Sequence, residues 1–336
     1  MSQLSKKYKI FLNYVLGPVL FTWLAYSIYQ QVQHHKDLDQ SWNLIKDTLI
    51  NKGWKIFALV FLMMLVNWGL EARKWQLLAG KVQSISYWSA YKAILSGQAF
   101  ALNTINRSGD FVGRILYLEE GNRLRAVGLS LIGSMSQILV TFSLGFISLT
   151  ILRFTILDNQ AILPGLSVFW LDALLIGLTP GILLFGVLYF NVVLVISWIE
   201  RIPFISKYQF FLEKMENLHN KDLTRILLLS VMRYVVFIVQ YVLLLKIFGV
   251  EASWQILLCL VSVLFMLMAM IPTIALAELG IRGKLSLELF GLVTTQQLSI
   301  LAASAGIWVI NLIIPAILGT ILLLGLRLFK QKEQKS

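Results

Sequence analysis

The stretch Asn103-Thr104-Ile105-Asn106-Arg107-Ser108-Gly109-Asp110-Phe111-Val112-Gly113-Arg114 decides how the rest of the chain is read. It packs two arginines, an aspartate, two asparagines and two glycines into twelve residues of a largely apolar chain. An apolar run from about 87 to 102 leads into it, and only eight mostly apolar residues, 111 to 118, follow before Glu119-Glu120. A spanning helix needs about 20 residues. The segment is therefore expected to enter a membrane, break at Asn103–Gly109 and return on the same side. Broken backbone at membrane depth is tolerated only inside protein or against a water-filled cavity. Ionisable residues at such a break mark a functional site by default. Taken alone, the stretch also reads as a juxtamembrane loop whose charges meet lipid headgroups.

Composition supports the membrane reading. The 336 residues are 58% hydrophobic and 14% charged, with a mean hydropathy of +0.76. That is an integral membrane protein, with no polar stretch long enough for a separate soluble domain. The expected organisation is one membrane domain over residues 1–330. The formal net charge is +12. In such a chain a basic balance points to cytoplasmic loops and anionic lipid rather than to nucleic acid. Cys259 is the one cysteine, so no intramolecular disulfide can form. His34, His35 and His219 lack ligand-spaced partners, so no metal and no other cofactor is expected. The basic start followed by 10–29 is too long and lacks the cleavage pattern of a signal peptide, and reads as a retained helix.

Taken in order, a first helix is expected at about 10–29. An interfacial helix follows over 30–54, on the spacing of Leu38, Trp42, Ile45 and Leu49. The next crossing, about 55–70, runs into Asn67-Trp68-Gly69-Leu70-Glu71-Ala72-Arg73-Lys74-Trp75. Tryptophans beside basic residues there read as a membrane boundary. After the broken hairpin comes a crossing at about 126–152. A long apolar run, 167–199, holds Pro180 and Gly181, where a kink is expected. Residues 200–222 carry the apolar stripe of a second interfacial helix. The crossing at about 223–248 contains Arg233 and Gln240. Arg233 can be read as a snorkelling side chain or as part of a substrate path. A second interruption runs from Ile271-Pro272 to Gly283-Lys284 and includes Glu278 and Arg282. A last crossing is expected at about 298–326.

With Lys6, Lys7 and Lys9 inside and both interrupted segments re-entrant, the basic loops fall mainly on the cytoplasmic side. Both termini are then cytoplasmic, and the expected location is a bacterial inner (plasma) membrane. The order helix, helix, hairpin, helix occurs twice, over about 10–152 and 167–327. The expected fold is an all-α polytopic membrane helix bundle of two inverted-topology halves, each with a broken, re-entrant hairpin. That design places a binding site where the broken helices meet. Asp110 and Arg114 correspond to Glu278 and Arg282 in this alignment.

These segments resemble the lysylphosphatidylglycerol synthase transmembrane family, a flippase-like membrane domain, over roughly residues 10–327. Arg73-Lys74-Trp75 is similar to that family's Arg-Trp pair. Arg107-Ser108-Gly109-Asp110 with Arg114 is similar to its Pro-x-Arg-x-Gly-Glu-x-x-x-Arg segment, with Asp for Glu and without the proline. Ile271-Pro272 followed by Gly280-Ile281-Arg282 is similar to its second motif, with Gly283 in place of Glu and Glu278 five residues earlier. The resemblance implies movement of a phospholipid or lipid-linked glycan headgroup across the bilayer.

The residue chemistry suits that task. Arginine offers a planar fork of donors to phosphate, and glycines let backbone approach a ligand. Carboxylates keep the arginines paired when the site is empty. The expected substrate-binding residues are Arg73, Arg107, Asp110, Arg114, Glu278 and Arg282. The same residues could instead only pair with one another and hold the hairpins. Gly280-Ile281-Arg282-Gly283-Lys284-Leu285 fails as a P-loop, because Glu278 and Leu285 stand where Gly and Ser or Thr are required. No nucleophile–base constellation is visible, so no enzyme is expected. Two rival readings stay open: a scaffold that docks a partner glycosyl- or acyltransferase, and an ion-coupled transporter of a small anion. Gly177 and Gly181 have the spacing of a helix-packing pair, which would suit a homodimer.

Overall fold

The computed structural model describes residues 46, 53–102, 104, 107–157, 167–193, 196, 218–273 and 275–333. The expected first helix lies outside them, as do most of both expected interfacial helices and Asn103, Ile105 and Asn106 of the first break. The described residues form α-helices and no strands: α1 Trp54–Ala79, α2 Tyr87–Ala101, α3 Asp110–Ile115, α4 Glu120–Thr155 and α5 Val168–Phe190. There follow α6 Asn220–Ile247, α7 Trp254–Met270, α8 Ala275–Phe290, α9 Gln297–Trp308, a π-helical turn Val309–Ile313, and α10 Ile314–Glu333. Among the described residues, five helical stretches are long and apolar enough to cross a membrane: α1, α4, α5, α6 and the run Gln297–Leu323. The chain is an all-α, polytopic membrane helix bundle.

α1 and α6 run antiparallel. Lys81 just beyond α1 pairs with Asp222 in the first turn of α6 at 2.6 Å, and at the far end Phe57 meets Phe248 with ring centroids 5.9 Å apart. α2 lies along α10, and α7 lies along α4. Glycines permit both close approaches. A Cβ on Gly319 of α10 would collide with the Leu95 carbonyl of α2, and one on Gly145 of α4 would meet the Met266 side chain of α7.

Both broken segments are helical hairpins. α2 is capped by the Ser86 hydroxyl, which accepts from Ser89 N at 3.1 Å. Its 15 residues reach about 22 Å at ~1.5 Å per residue, short of a ~30 Å hydrocarbon core. The chain then turns back: Gln83, before α2, accepts from the backbone N–H of Glu119, after α3, at 3.0 Å. The two arms touch backbone to backbone, because a Cβ on Gly97 would stand 2.5 Å from the Asp110 carbonyl oxygen. α7 begins in the same way, with the Ser253 hydroxyl accepting from Ile256 N at 3.3 Å. α8 carries Phe290 back to within 5.9 Å of Tyr241, two turns from the end of α6 where α7 starts. Trp88 and Trp254, at the starts of α2 and α7, are exposed.

Several sequence expectations change. The helix expected to end near Leu70 runs to Ala79, and Trp68 and Trp75 are 3% and 0% exposed. They pack inside the bundle instead of marking a boundary. The last crossing is interrupted by the π turn. There Asn311 donates to Gln240 Oε1 at 3.0 Å, while Gln240 donates to the Val60 carbonyl at 2.7 Å. The polar side chain of Gln240 thus ties three elements together. Pro180 lies within one continuous helix, α5. Gly177 and Gly181 pack against no helix among the described residues: a Cβ at either would meet open space within 4 Å.

Two apolar clusters fill the bundle, and α6 shows how they divide. Leu223 and Ile226 belong to one, and Tyr234, Ile238 and Tyr241 to the other. Ser230 and Arg233 lie between them on the same helix.

Candidate functional site

Asn67, Glu71 and Lys74 are spaced four and three apart, so they share one face of α1. All three are 3% exposed or less. Burying the charged Glu71 and Lys74 costs several kcal/mol each unless they are paired, and here both are. Glu71 pairs with Lys74 at 2.8 Å, with Arg114 of α3 at 3.0 Å and with Arg233 of α6 at 3.2 Å. Lys74 also donates to the Gly133 carbonyl of α4 at 3.2 Å and to Ser230 Oγ at 3.3 Å. Arg114 bridges on to Asp110 at 2.5 Å, one turn earlier on α3. A single carboxylate on α1 therefore ties together the returning arm of the first hairpin and α6.

The second hairpin repeats the α3 arrangement. Arg282 pairs with Glu278 at 2.6 Å, again one turn earlier on the helix after the break. The two breaks are joined by Arg107, whose Nη2 donates to both oxygens of Glu278 at 2.7 and 2.8 Å. Arg107 has φ of +57°, the one non-glycine positive φ among the described residues. That left-handed conformation costs about 1–2 kcal/mol. Thr104 supports it: its carbonyl accepts from Arg107 N at 3.2 Å and its hydroxyl from Gly109 N at 2.8 Å. A non-glycine residue held there is a pointer to function.

A cavity of about 350 Å³ opens beside this junction, within the ~300–1,000 Å³ range of small-molecule sites. Among the described residues, Arg107, Arg233 and Arg282 line it, against one carboxylate, Glu278. Asn67 and Gln137 add amides, and Ile138, Phe237, Phe265 and Met268 form apolar wall. Ile138 and Ala269, both lining residues, are exposed at its mouth. Arg233 donates to Asn67 Oδ1 at 2.8 Å and to Gln137 Oε1 at 3.4 Å. Its guanidinium carbon sits 5.1 Å from the Trp68 ring, an attractive cation–π distance. Arg282 is 6% exposed, yet its Nε and Nη1 have no hydrogen-bond partner. Buried donors without a partner are rare in proteins.

Of the residues expected from sequence, Arg107, Glu278 and Arg282 meet at the cavity. Asp110 and Arg114 stand behind it, paired with each other and with Glu71. Arg73 is brought to neither group: it is exposed, and donates to Gln76 at 2.5 Å. Its neighbour Lys74 is the buried one. Glu71, Asn67 and Gln137 were not expected. The first two carried a signal, since Asn67, Glu71 and Lys74 fall on one helical face beside Trp68 and Trp75. Arg233, readable two ways from sequence, lines the cavity.

The chain matches no protein-family model and no curated protein.

Proposed function

We propose that the protein is a translocase for the headgroup of a phospholipid or lipid-linked glycan. The observation that carries this reading is the cavity with three arginines and one carboxylate, where buried Arg282 keeps two donors unused. Phosphate is the acceptor-rich group that such planar donors fit. The apolar side of the cavity, with exposed Ile138 and Ala269 at its mouth, suits a ligand whose other end stays in hydrocarbon. A small soluble anion would need no such wall.

The membership proposed for the chain is the lysylphosphatidylglycerol synthase transmembrane family, on the motifs quoted above. The proposed frame is an inverted repeat in which α1, α2, α3 and α4 correspond to α6, α7, α8 and α9–α10. Three features support it. Exchanging the halves turns the α2–α10 packing into the α7–α4 packing, and each of those crossings has its own glycine, Gly319 and Gly145. Each hairpin starts with a serine cap followed by an exposed tryptophan. Each returning arm opens with a carboxylate–arginine pair four residues apart. In this frame the hairpins are re-entrant from opposite faces. The end that carries Lys81, Arg123, Arg125, Lys221 and Arg225 is cytoplasmic by the positive-inside rule, in a bacterial inner membrane. Lipid movement in proteoliposomes, compared between the wild type and Arg282 variants, tests the function.

A further inference from the structure

We infer that the cavity selects a lipid headgroup with two negative charges at its phosphate end, a phosphate monoester or a diphosphate, over singly charged phosphodiesters and zwitterions. The inference rests on the translocase reading and narrows its substrate. Two observations carry it.

The first is charge balance. Among the described residues, the ion-paired groups around the cavity are five cations, Lys74, Arg107, Arg114, Arg233 and Arg282, and three carboxylates, Glu71, Asp110 and Glu278. Two positive charges remain in excess. Uncompensated charge in a poorly solvated site is costly. A dianion neutralises both charges, a phosphodiester leaves one, and a zwitterion leaves two.

The second is the direction of the hydrogen bonds. Glu278 is the cavity's one carboxylate among the described residues, and both its oxygens accept: Oε1 from Arg107 and Arg282, Oε2 from Arg107. Three of its roughly four acceptor sites are occupied, which leaves little for an ammonium group. The donors, by contrast, are in surplus. Arg282 has two nitrogens, Nε and Nη1, without a hydrogen-bond partner. Asn67 and Gln137 turn their carbonyl oxygens to Arg233, which leaves their amide nitrogens as donors. A wall this rich in guanidinium and amide donors fits a phosphoryl group with several anionic oxygens. The arginine forks can each address two of them.

The test uses the full chain in detergent, titrated calorimetrically with water-soluble short-chain phosphatidic acid, phosphatidylglycerol and phosphatidylethanolamine. At pH ~7.5 the phosphate monoester carries its second charge, because that proton leaves near pH ~6. There phosphatidic acid should bind about tenfold more tightly than phosphatidylglycerol, with phosphatidylethanolamine weakest. At pH ~5 the monoester has lost its second charge, and its advantage should vanish. The cavity's own titratable groups are Arg107, Arg233, Arg282, Glu278 and Tyr234, with Glu71 and Lys74 behind Arg233. Phosphatidylglycerol measured at both pH values reads out any change in them. Arg233→Gln lowers the excess to one and should bring the two anionic lipids together at pH ~7.5. Equal affinity for both anionic lipids in the wild type at the higher pH overturns the dianion inference and leaves the anionic site standing. So does a preference that survives unchanged at the lower pH. Equal binding of all three lipids, or of none, overturns the underlying reading.

Discussion

Arg107 and Glu278 stand 171 positions apart in the chain, yet a single guanidinium nitrogen of Arg107 reaches both carboxylate oxygens of Glu278, at 2.7 and 2.8 Å. This bond closes the tip of one helical hairpin on the tip of the other. Arg282 also donates to Glu278 Oε1, at 2.6 Å. The carboxylate is therefore the hinge point of both breaks and part of the cavity wall.

That geometry sets the cost of breaking it. Glu278→Gln leaves Arg282 buried beside a neutral amide. Removing one partner of a buried pair costs about 3–5 kcal/mol. Arg107 is more exposed, so Arg107→Gln should cost less. The double variant should be no less stable than Glu278→Gln alone, because the charge left without its partner is removed with it. Thermal unfolding in detergent, run as a double-mutant cycle, measures the coupling. Strictly additive losses would show that the two residues do not act as a pair.

The hairpins also depend on backbone contact. A Cβ on Gly113 would collide with the Ser96–Gly97 backbone, and one on Gly319 with the Leu95 carbonyl. Neither obstacle is a flexible side chain. Gly113→Ala and Gly319→Ala should each destabilise by about 1–3 kcal/mol, the usual cost of overpacking. Gly177→Ala, which meets open space, should leave the unfolding midpoint in place. The three midpoints side by side check this.

Transport should couple to protons, through Glu278 and not Asp110. An anion that draws Arg107 and Arg282 toward itself uncovers Glu278, which lines the cavity. Asp110 faces Arg114, whose second partner is Glu71, and no ligand in the cavity touches either. Transport in proteoliposomes should respond to an imposed pH gradient. Glu278→Gln should lose that response and Asp110→Asn should keep it. Loss of the response in Asp110→Asn alone would place the proton site behind the cavity.

Much of this was legible in the sequence, for physical reasons. Hydropathy marks the crossings, and the eight residues after Gly109-Asp110 are too few to cross, so the first hairpin follows from length alone. The carboxylate–arginine spacing of Asp110 with Arg114, and of Glu278 with Arg282, is helical and local, and it survives into the structure. What was not legible is which of two adjacent basic residues faces inward. Arg73 and Lys74 differ by one position, about 100° around a helix. The tryptophans beside them read as boundary anchors. They are instead platforms for cations, Trp68 for Arg233 and Trp75 for Arg114 at 5.8 Å. Partners such as Glu71 and Arg233 come from different crossings, and no spacing rule joins them. The hidden role of Gln137, a polar side chain in the apolar run of α4, is long-range in the same way.

The proposed inverted arrangement makes a directional forecast. Cysteines at Ile85, beside the start of α2, and at Gln296, beyond α8, lie at opposite ends of the bundle. In a Cys259→Ser background, a membrane-impermeant maleimide should label Ile85→Cys from the cytoplasmic side and Gln296→Cys from the outside. Labelling of both from one side would contradict re-entry from opposite faces.

The central claim, that the arginine-lined cavity carries a lipid headgroup, is tested most directly by lipid movement in proteoliposomes. Vesicles with a fluorescent anionic lipid are treated with a membrane-impermeant quencher, and the protected fraction is followed over time. Wild-type protein should expose the inner-leaflet lipid. Arg282→Lys, which keeps the charge but loses the planar fork, should slow exposure by at least about tenfold while the protein stays folded. Arg114→Lys, behind the cavity, should act through stability alone and move lipid at the wild-type rate once folded. Exposure no faster than in protein-free vesicles, or equal rates for the wild type and Arg282→Lys, would contradict the account.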